Sequence, residues 1–238
     1  MPIAILMPAY NEAGALARAL AAIRDTAERL GGATVFLVDD GSEPAVGIDI
    51  LPAPSPHFRL VLARHVVNLG QGAALETARQ LALTSLVEPG FEAYITMDAD
   101  GQHGVEDVAA LARAIQDGAD VAFGNRFGTS DVPMTRRILL RAARWFEQEL
   151  TGLHLNDAHN GLRAFSKSAL ELVPIRQNRM AHATEIKQRV SRAGPLRIVE
   201  VPVTVAYTRE TLAKGQRAAG AIDILRDLLQ EYLFGEHP

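Results

Sequence analysis

Tyr94-Ile95-Thr96-Met97-Asp98-Ala99-Asp100-Gly101-Gln102-His103 is the stretch on which the reading of this chain turns. A short, largely apolar run of β-favouring residues ends abruptly in two carboxylates and a glycine. Runs of that kind are strands buried on both faces, as in parallel sheets. An acidic turn leaving such a strand lies where open α/β sheets bind their ligands, outside the carboxyl ends of the strands.

Two more segments repeat the arrangement. Ile3 to Met7 is a buried strand ending at Pro8 and followed by Ala9-Tyr10-Asn11-Glu12. Val35 to Val38 is another, running into Asp39-Asp40-Gly41-Ser42. Between them Leu16, Leu20, Ile23, Ala27 and Leu30 fall on one helical face, which Gly31-Gly32 terminates. Leu60 to Leu62 reads as a third strand, Gly72 to Leu86 as a helix, Val105 to Ile115 as a helix and Val121 to Phe123 as a strand. Glu43 to His57, with four prolines, is a loop. The alternation predicts an α/β fold, a mostly parallel sheet flanked by helices. Further on, Thr135 to Leu150 reads as an arginine-bearing helix, Leu162 to Phe165 as a strand and Ala183 to Arg192 as a helix. Ile198 to Tyr207 is a strand broken by Pro202, and Ala218 to Leu233 an amphipathic helix. No linker splits the chain, so one domain spans 1–238.

Composition narrows the function. The 238 residues are 48% hydrophobic and 22% charged, enough for a packed core, and carry a formal charge of −4, which argues against nucleic acid as a partner. The absence of cysteine excludes disulfides, thiolate-bound zinc and a thiol nucleophile. The apolar run at the N-terminus is too short for a signal peptide, and no window approaches the ~18–20 apolar residues of a membrane span. The expected setting is cytoplasmic, with any membrane contact peripheral. The last helix suits core packing ahead of dimerisation or membrane docking, which leaves a homodimer open.

Asp98 and Asp100 are one residue apart, and two carboxylates so placed repel each other unless a cation lies between them. Hard oxygen ligands select Mg²⁺ or Mn²⁺, and Gln102 offers a neutral oxygen; a solvated turn with an aspartate cap is the plainer alternative. Gly70 and Gly72 would let backbone N–H groups approach a phosphate at a helix N-terminus. Gly70-x-Gly72-x-x-Leu75 misses the third glycine of a dinucleotide fingerprint and lies outside the first βαβ unit, which disfavours a nicotinamide or flavin enzyme. Arg126, Arg136, Arg137, Arg141, Arg144, Arg163, Arg209, Lys214 and Arg217 are cations for an anionic partner, although most surface arginines are simply solvated. The Arg136–Arg144 group, interleaved with Ile138, Leu139 and Leu140 and followed by Trp145 and Phe146, suits an anionic membrane surface and equally a core helix with a basic face. Asp157 and Glu185 are candidate general bases; Glu185 equally suits a first helical turn, favoured by the dipole. His57, His65 and His154 have no motif around them and read as structural or exposed.

Together, Pro8 to Glu12, Val38 to Ser42 and Met97 to His103 resemble glycosyltransferase family 2, the inverting group with the GT-A fold, in order and spacing. Gly124-Asn125-Arg126-Phe127, Asp157 to Phe165 and Lys214-Gly215-Gln216 are similar to its dolichol- and polyprenyl-phosphate mannosyltransferase branch. The resemblance implies a nucleotide-binding half over 1–125 and an acceptor-binding half over 126–238. It implies that Pro8, Tyr10, Glu12, Asp39, Asp40, Gly70, Gln71, Asp98 and Ala99 bind the nucleotide of a UDP- or GDP-sugar. Asp98, Asp100 and Gln102 would hold the divalent metal. Arg126, Arg163, Arg209 and Lys214 would lie near the phosphates or the acceptor, a polyprenyl phosphate among the possibilities, with Arg126, Asp157 and Glu185 around the chemistry. Gln71 stands where the family often has Lys or Arg, and Gly104 where it often has Pro. A sugar-phosphate nucleotidyltransferase would carry a glycine- and arginine-rich loop where Tyr10-Asn11-Glu12 stands. An inert nucleotide-sugar binder would have no use for Asp98, Asp100, Asp157 and Glu185.

Overall fold

A computed structural model describes residues 2–86, 90–126, 148, 151–157, 160–178 and 181–204. Its centre is β1 (Ile3–Ala9), buried along its whole length. Alternate residues of β1 feed different layers. Ile3, Ile5, Met7 and Ala9 pack with Leu16, Leu20 and Ile23 of α1 (Ala13–Thr26) and with Val108, Leu111 and Ile115 of α3 (Val105–Gln116). Ala4 and Leu6 pack with Ala74, Leu75 and Ala78 of α2 (Gln71–Leu83) and with Ile186 and Val190 of α5 (Ala181–Arg192). Truncating Leu6 to Ala would open a cavity in the second layer, at a cost of about 2–5 kcal/mol.

β2 (Ala33–Asp39) and β3 (Phe58–Arg64) lie in turn on one side of β1, and β4 (Ala93–Thr96) lies on the other. The full order is β3-β2-β1-β4-β6-β5-β7, with β5 at Val121–Asn125, β6 at Arg163–Phe165 and β7 at Ile198–Pro202. All neighbours are parallel except β6, which runs antiparallel to both β4 and β5. The expected mostly parallel sheet is therefore present. The direction of β6 could not be read from a three-residue run. Chain order reverses about β1, so the switch-point crevice opens between the C-terminal ends of β1 and β4.

Several boundaries shift for physical reasons. β1 continues through Pro8 to Ala9 instead of ending at Pro8. Leu6 accepts from Met97 N, so Pro8, two residues on, turns its missing N–H to the β4 side, beyond the last β1–β4 pair, Leu6↔Thr96. α1 ends at Thr26, and the chain reaches Gly32 through tighter turns in which Gly32 N donates to Ala27 O. α2 ends at Leu83, ahead of Leu86. A short helix, α4 (Lys167–Glu171), was not expected from periodicity; Ser166 caps it by accepting from Ala169 N. The predicted helices at 135–150 and 218–233 lie outside the described residues, save Gln148, which is helical.

Candidate active site

Register brings the three acidic strand ends together. Ala9 pairs with Asp39 and Leu6 with Thr96, so Tyr10, Asp40 and Asp98 emerge side by side from β1, β2 and β4. Tyr10 is half exposed at the rim. Asn11, at φ 54°, donates its backbone N–H to the Ser42 hydroxyl at 3.0 Å and accepts at Oδ1 from Glu43 N at 2.9 Å, which ties the first strand end to the second. Pro8 and Ala99 are buried, so a ligand would meet their backbone and not their side chains.

The aspartates of β2 are spoken for by the protein. Asp39 accepts from Ser42 N at 2.9 Å and Val46 N at 3.1 Å, and its carboxylate lies 3.4 Å from Arg64 Nε. Burial alone would raise its pKa, but the Ser42 and Val46 hydrogen bonds and the Arg64 charge outweigh burial and hold it below the usual carboxylate range. It caps the Ser42–Val46 turn, not a following helix. Asp40 accepts from Leu69 N at 3.0 Å, Gly70 N at 2.8 Å and His65 Nδ1 at 2.7 Å, while His65 Nε2 meets Thr77 Oγ1 at 2.9 Å. His65 is thus structural, as expected, whereas His57 and His154 are exposed.

The glycine loop differs from its expected use. Gly70 has φ 101°, and a Cβ there would meet the Asn178 side chain at 2.8 Å; a Cβ on Gly72 would meet Gln177 O more closely still. Asn178 Oδ1 accepts from Ala73 N at 2.8 Å. The glycines admit the 175–178 segment, and the N–H groups of Gly70 and Ala73 serve Asp40 and Asn178, not a phosphate. Gln71, the first residue of α2, instead donates from Nε2 to Asp98 Oδ1 at 2.8 Å.

Asp98 is partly buried and lies against Gly161, whose missing side chain makes room for its carboxylate. Burial first, and the Asp100 charge next, push its carboxyl up, against the pull of His103 and Arg163; Glu12 adds to the negative surroundings. Asp100 Oδ1 accepts from Gln102 N at 3.0 Å. His103 Nδ1 is buried without a hydrogen-bond partner, and desolvation lowers its pKa against the opposing charges of Asp98 and Asp100. Among the described residues no three His, Cys, Asp or Glu side chains close around a metal position. Two clustered carboxylates with an amide beside them fit a hard divalent ion whose remaining ligands are water and substrate oxygens, as Mg²⁺ sites use. Gly104 takes φ −80°, a value proline would share, but its N–H donates to Asp107 at 3.4 Å, a bond proline would lack.

The opposite wall is cationic. Arg126 grips the buried Asp157 through Nε at 2.9 Å and Nη2 at 3.2 Å, and donates its backbone N–H at 3.0 Å. Arg163, buried on β6, faces both Asp98 and Asp157; desolvation brings its pKa down to about 10, so it keeps its charge at neutral pH. Glu185 bonds to a different set of groups. Its Oε2 accepts from Arg176 N and Gln177 N, each at 2.8 Å, and its Oε1 from Arg189 Nε at 2.9 Å and Nη2 at 2.8 Å. Reasoning from sequence missed this bracing of the 175–178 segment; Glu185 and Arg189, one helical turn apart, carried the only signal. Arg209 and Lys214 lie outside the described residues.

Comparison with known proteins identifies the arrangement. The profile of glycosyl transferase family 2 matches residues 4–173. The chain belongs to that family. It is a glycosyltransferase, which sets aside the nucleotidyltransferase reading. It is 26% identical to the UDP-N-acetylglucosamine–dolichyl-phosphate N-acetylglucosaminyltransferase of Methanococcus voltae, over 95% of this chain and 94% of that one. It is 28% identical to the undecaprenyl-phosphate mannosyltransferase of Micrococcus luteus, over 93% and 90%. The crystal structure of glucosyl-3-phosphoglycerate synthase from Mycobacterium tuberculosis with Mn²⁺, UDP and phosphoglyceric acid shares the fold, with a TM-score of 0.59 and 19% identity over 95% of this chain and 78% of that one. These relatives place the GT-A fold and the polyprenyl-phosphate branch on firm ground. No helix among the described residues is long and apolar enough to cross a membrane.

Proposed function

We propose that this glycosyltransferase moves a sugar from a UDP- or GDP-sugar to a polyprenyl phosphate, inverting the anomeric carbon, with Mg²⁺ or Mn²⁺ on the donor diphosphate. The observation that carries the acceptor is the state of the two candidate bases. Both oxygens of Glu185 are filled by two backbone N–H groups and Arg189, and both oxygens of Asp157 by Arg126. Neither is poised to take a proton from a hydroxyl. A phosphate acceptor is already an anion and needs no base. Arg126 and Arg163 supply the positive charge that would hold it, and Arg209 and Lys214 are assigned to the same task. The Methanococcus voltae and Micrococcus luteus relatives are both named for lipid-phosphate acceptors, which supports the same reading.

On the donor side, Asp98, Asp100 and Gln102 are the residues that would hold the ion, and Tyr10 offers an exposed ring at the nucleoside end. A divalent ion held there would stabilise the charge developing on the leaving diphosphate. Asp39 and Asp40 shape the nucleoside wall through the loops that they fix. An anionic acceptor oxygen attacks the anomeric carbon from the face opposite the diphosphate, so one C–O bond forms as the other breaks. Peripheral association with the membrane follows from a lipid acceptor and adds nothing that the described residues must span.

The test is turnover of radiolabelled UDP- and GDP-sugars with undecaprenyl phosphate, with undecaprenol and without acceptor, each with Mn²⁺ or EDTA. Metal-dependent transfer to the phosphate alone is the expected result. Transfer to the alcohol would sink the acceptor assignment, and transfer in EDTA the metal.

A further inference from the structure

The 175–178 segment is held more firmly than a connection needs to be. Glu76 on α2 accepts from Ile175 N at 2.8 Å while also binding Arg79, whose Nη1 reaches Leu170 O at 3.0 Å. Glu185 on α5 accepts from Arg176 N and Gln177 N. Two carboxylates from different helices thus fix three consecutive N–H groups and deliver Asn178 onto the first turn of α2. There its Oδ1 caps Ala73 N at 2.8 Å, and its side chain fills the space that the missing Cβ of Gly70 leaves. Gly72 has the same cause, since Gln177 O lies where its Cβ would be.

That first turn begins with Gln71, which donates to Asp98 Oδ1. Gly70 N, one residue before, is tied to Asp40. The turn is therefore fixed on one side by β2 and on the other by Asn178, and the amide between them orients the carboxylate proposed to meet the metal. We infer that Asn178 is a positioning residue: by capping the first turn of α2 it holds Gln71 against Asp98 and sets the affinity of the site for its divalent ion. The inference rests on the reading of Asp98 as a metal ligand. It also gives Glu185 a use other than proton transfer, as the anchor of the segment that carries Asn178.

The experiment measures the Mn²⁺ requirement twice, as the affinity for Mn²⁺ titrated calorimetrically into the enzyme with UDP and no acceptor and as the concentration for half-maximal transfer, together with donor KM, kcat at saturating metal and Tm. It compares the parent, Asn178→Ala, Asn178→Asp, Gln71→Ala and the double variant Asn178→Ala/Gln71→Ala. Removing a group that orients a metal ligand weakens metal binding by roughly 10-fold or more, so Gln71→Ala raises the Mn²⁺ requirement by about that factor. Asn178→Ala raises it by a smaller factor, roughly 3- to 5-fold, with kcat at saturating metal nearly unchanged. Asn178→Asp restores the parent value, because a carboxylate also caps a helix N-terminus. The double variant matches Gln71→Ala alone, since the two residues act in series. An unmoved Mn²⁺ requirement in Asn178→Ala overturns the inference, as does full additivity in the double variant. A parent enzyme indifferent to EDTA overturns the metal reading itself, and the inference with it.

Discussion

Two strand ends in this protein have nearly the same composition and opposite fates. Asp39-Asp40 leaves β2, and Asp98-Ala99-Asp100 leaves β4 on the far side of β1. At β2 four backbone N–H groups, His65 and Arg64 surround the two carboxylates, and Asp39 is held below its ordinary pKa. At β4 the Asp98 carboxylate receives the Gln71 amide and lies beside Asp100, and its carboxyl is pushed up by burial and by that neighbour. A carboxylate saturated by N–H donors organises loops. One crowded by another negative charge has its stabilisation still to come, and under the proposed function a divalent cation would supply it. The lesson is that acidity at a sheet edge identifies a site only after its hydrogen bonds have been counted.

The contrast can be broken most decisively at β4. Asp98→Ala or Asp100→Ala should abolish Mn²⁺-dependent UDP or GDP binding and lower turnover by ~10³-fold or more, with the fold intact. Calorimetry with and without EDTA checks this, and unchanged nucleotide affinity in Mn²⁺ would remove the metal role. Asp40→Ala should do the reverse. It strands the part-buried N–H groups of Leu69 and Gly70 and should cost about 1–3 kcal/mol in urea unfolding, because those donors lose their acceptor. The residual activity should still respond to metal.

Glu185→Gln tests the same distinction on α5. Loss of the charge facing Arg189 and two N–H groups should cost about 1–3 kcal/mol of stability. The shape of the kcat–pH profile should not change, because no proton is taken there; loss of a basic limb would restore Glu185 as a base. The smallest effect is expected for Asp39→Asn, roughly 1–2 kcal/mol at neutral pH. Its sign with pH is fixed. The native pKa lies below the unfolded one, so the contribution of Asp39 is complete above pH ~4 and fades as pH falls through the native value. Parent and variant stabilities should therefore converge in acid, and a constant gap would mean that the carboxylate charge contributes nothing.

Much of the fold was legible. β1, β2 and β4 are unbroken apolar runs because both of their faces are covered, and α1 and α3 show one apolar stripe each because only one face is. The direction of β6 was not legible, since three residues pairing with two strands carry no signal of orientation. The extension of β1 past Pro8 depended on where β4 leaves the sheet. The contacts of the Gly70–Gly72 loop were not legible for a related reason. Glycine marks a close approach, but the partner, a segment over a hundred positions later, comes from tertiary packing.

The sequence by itself determined the alternating layers, the three acidic strand ends and their common edge, because burial imposes a period on local residues and strand polarity puts successive ends on one side. Only the tertiary structure decided which carboxylates are engaged. Asp40 meets N–H groups 29 and 30 positions away, Asp157 meets Arg126 across 31, and Glu76 captures Ile175 N across 99. A hydrogen bond is specified by position in space to within a few tenths of an ångström, and residue type and spacing along the chain do not encode that coordinate.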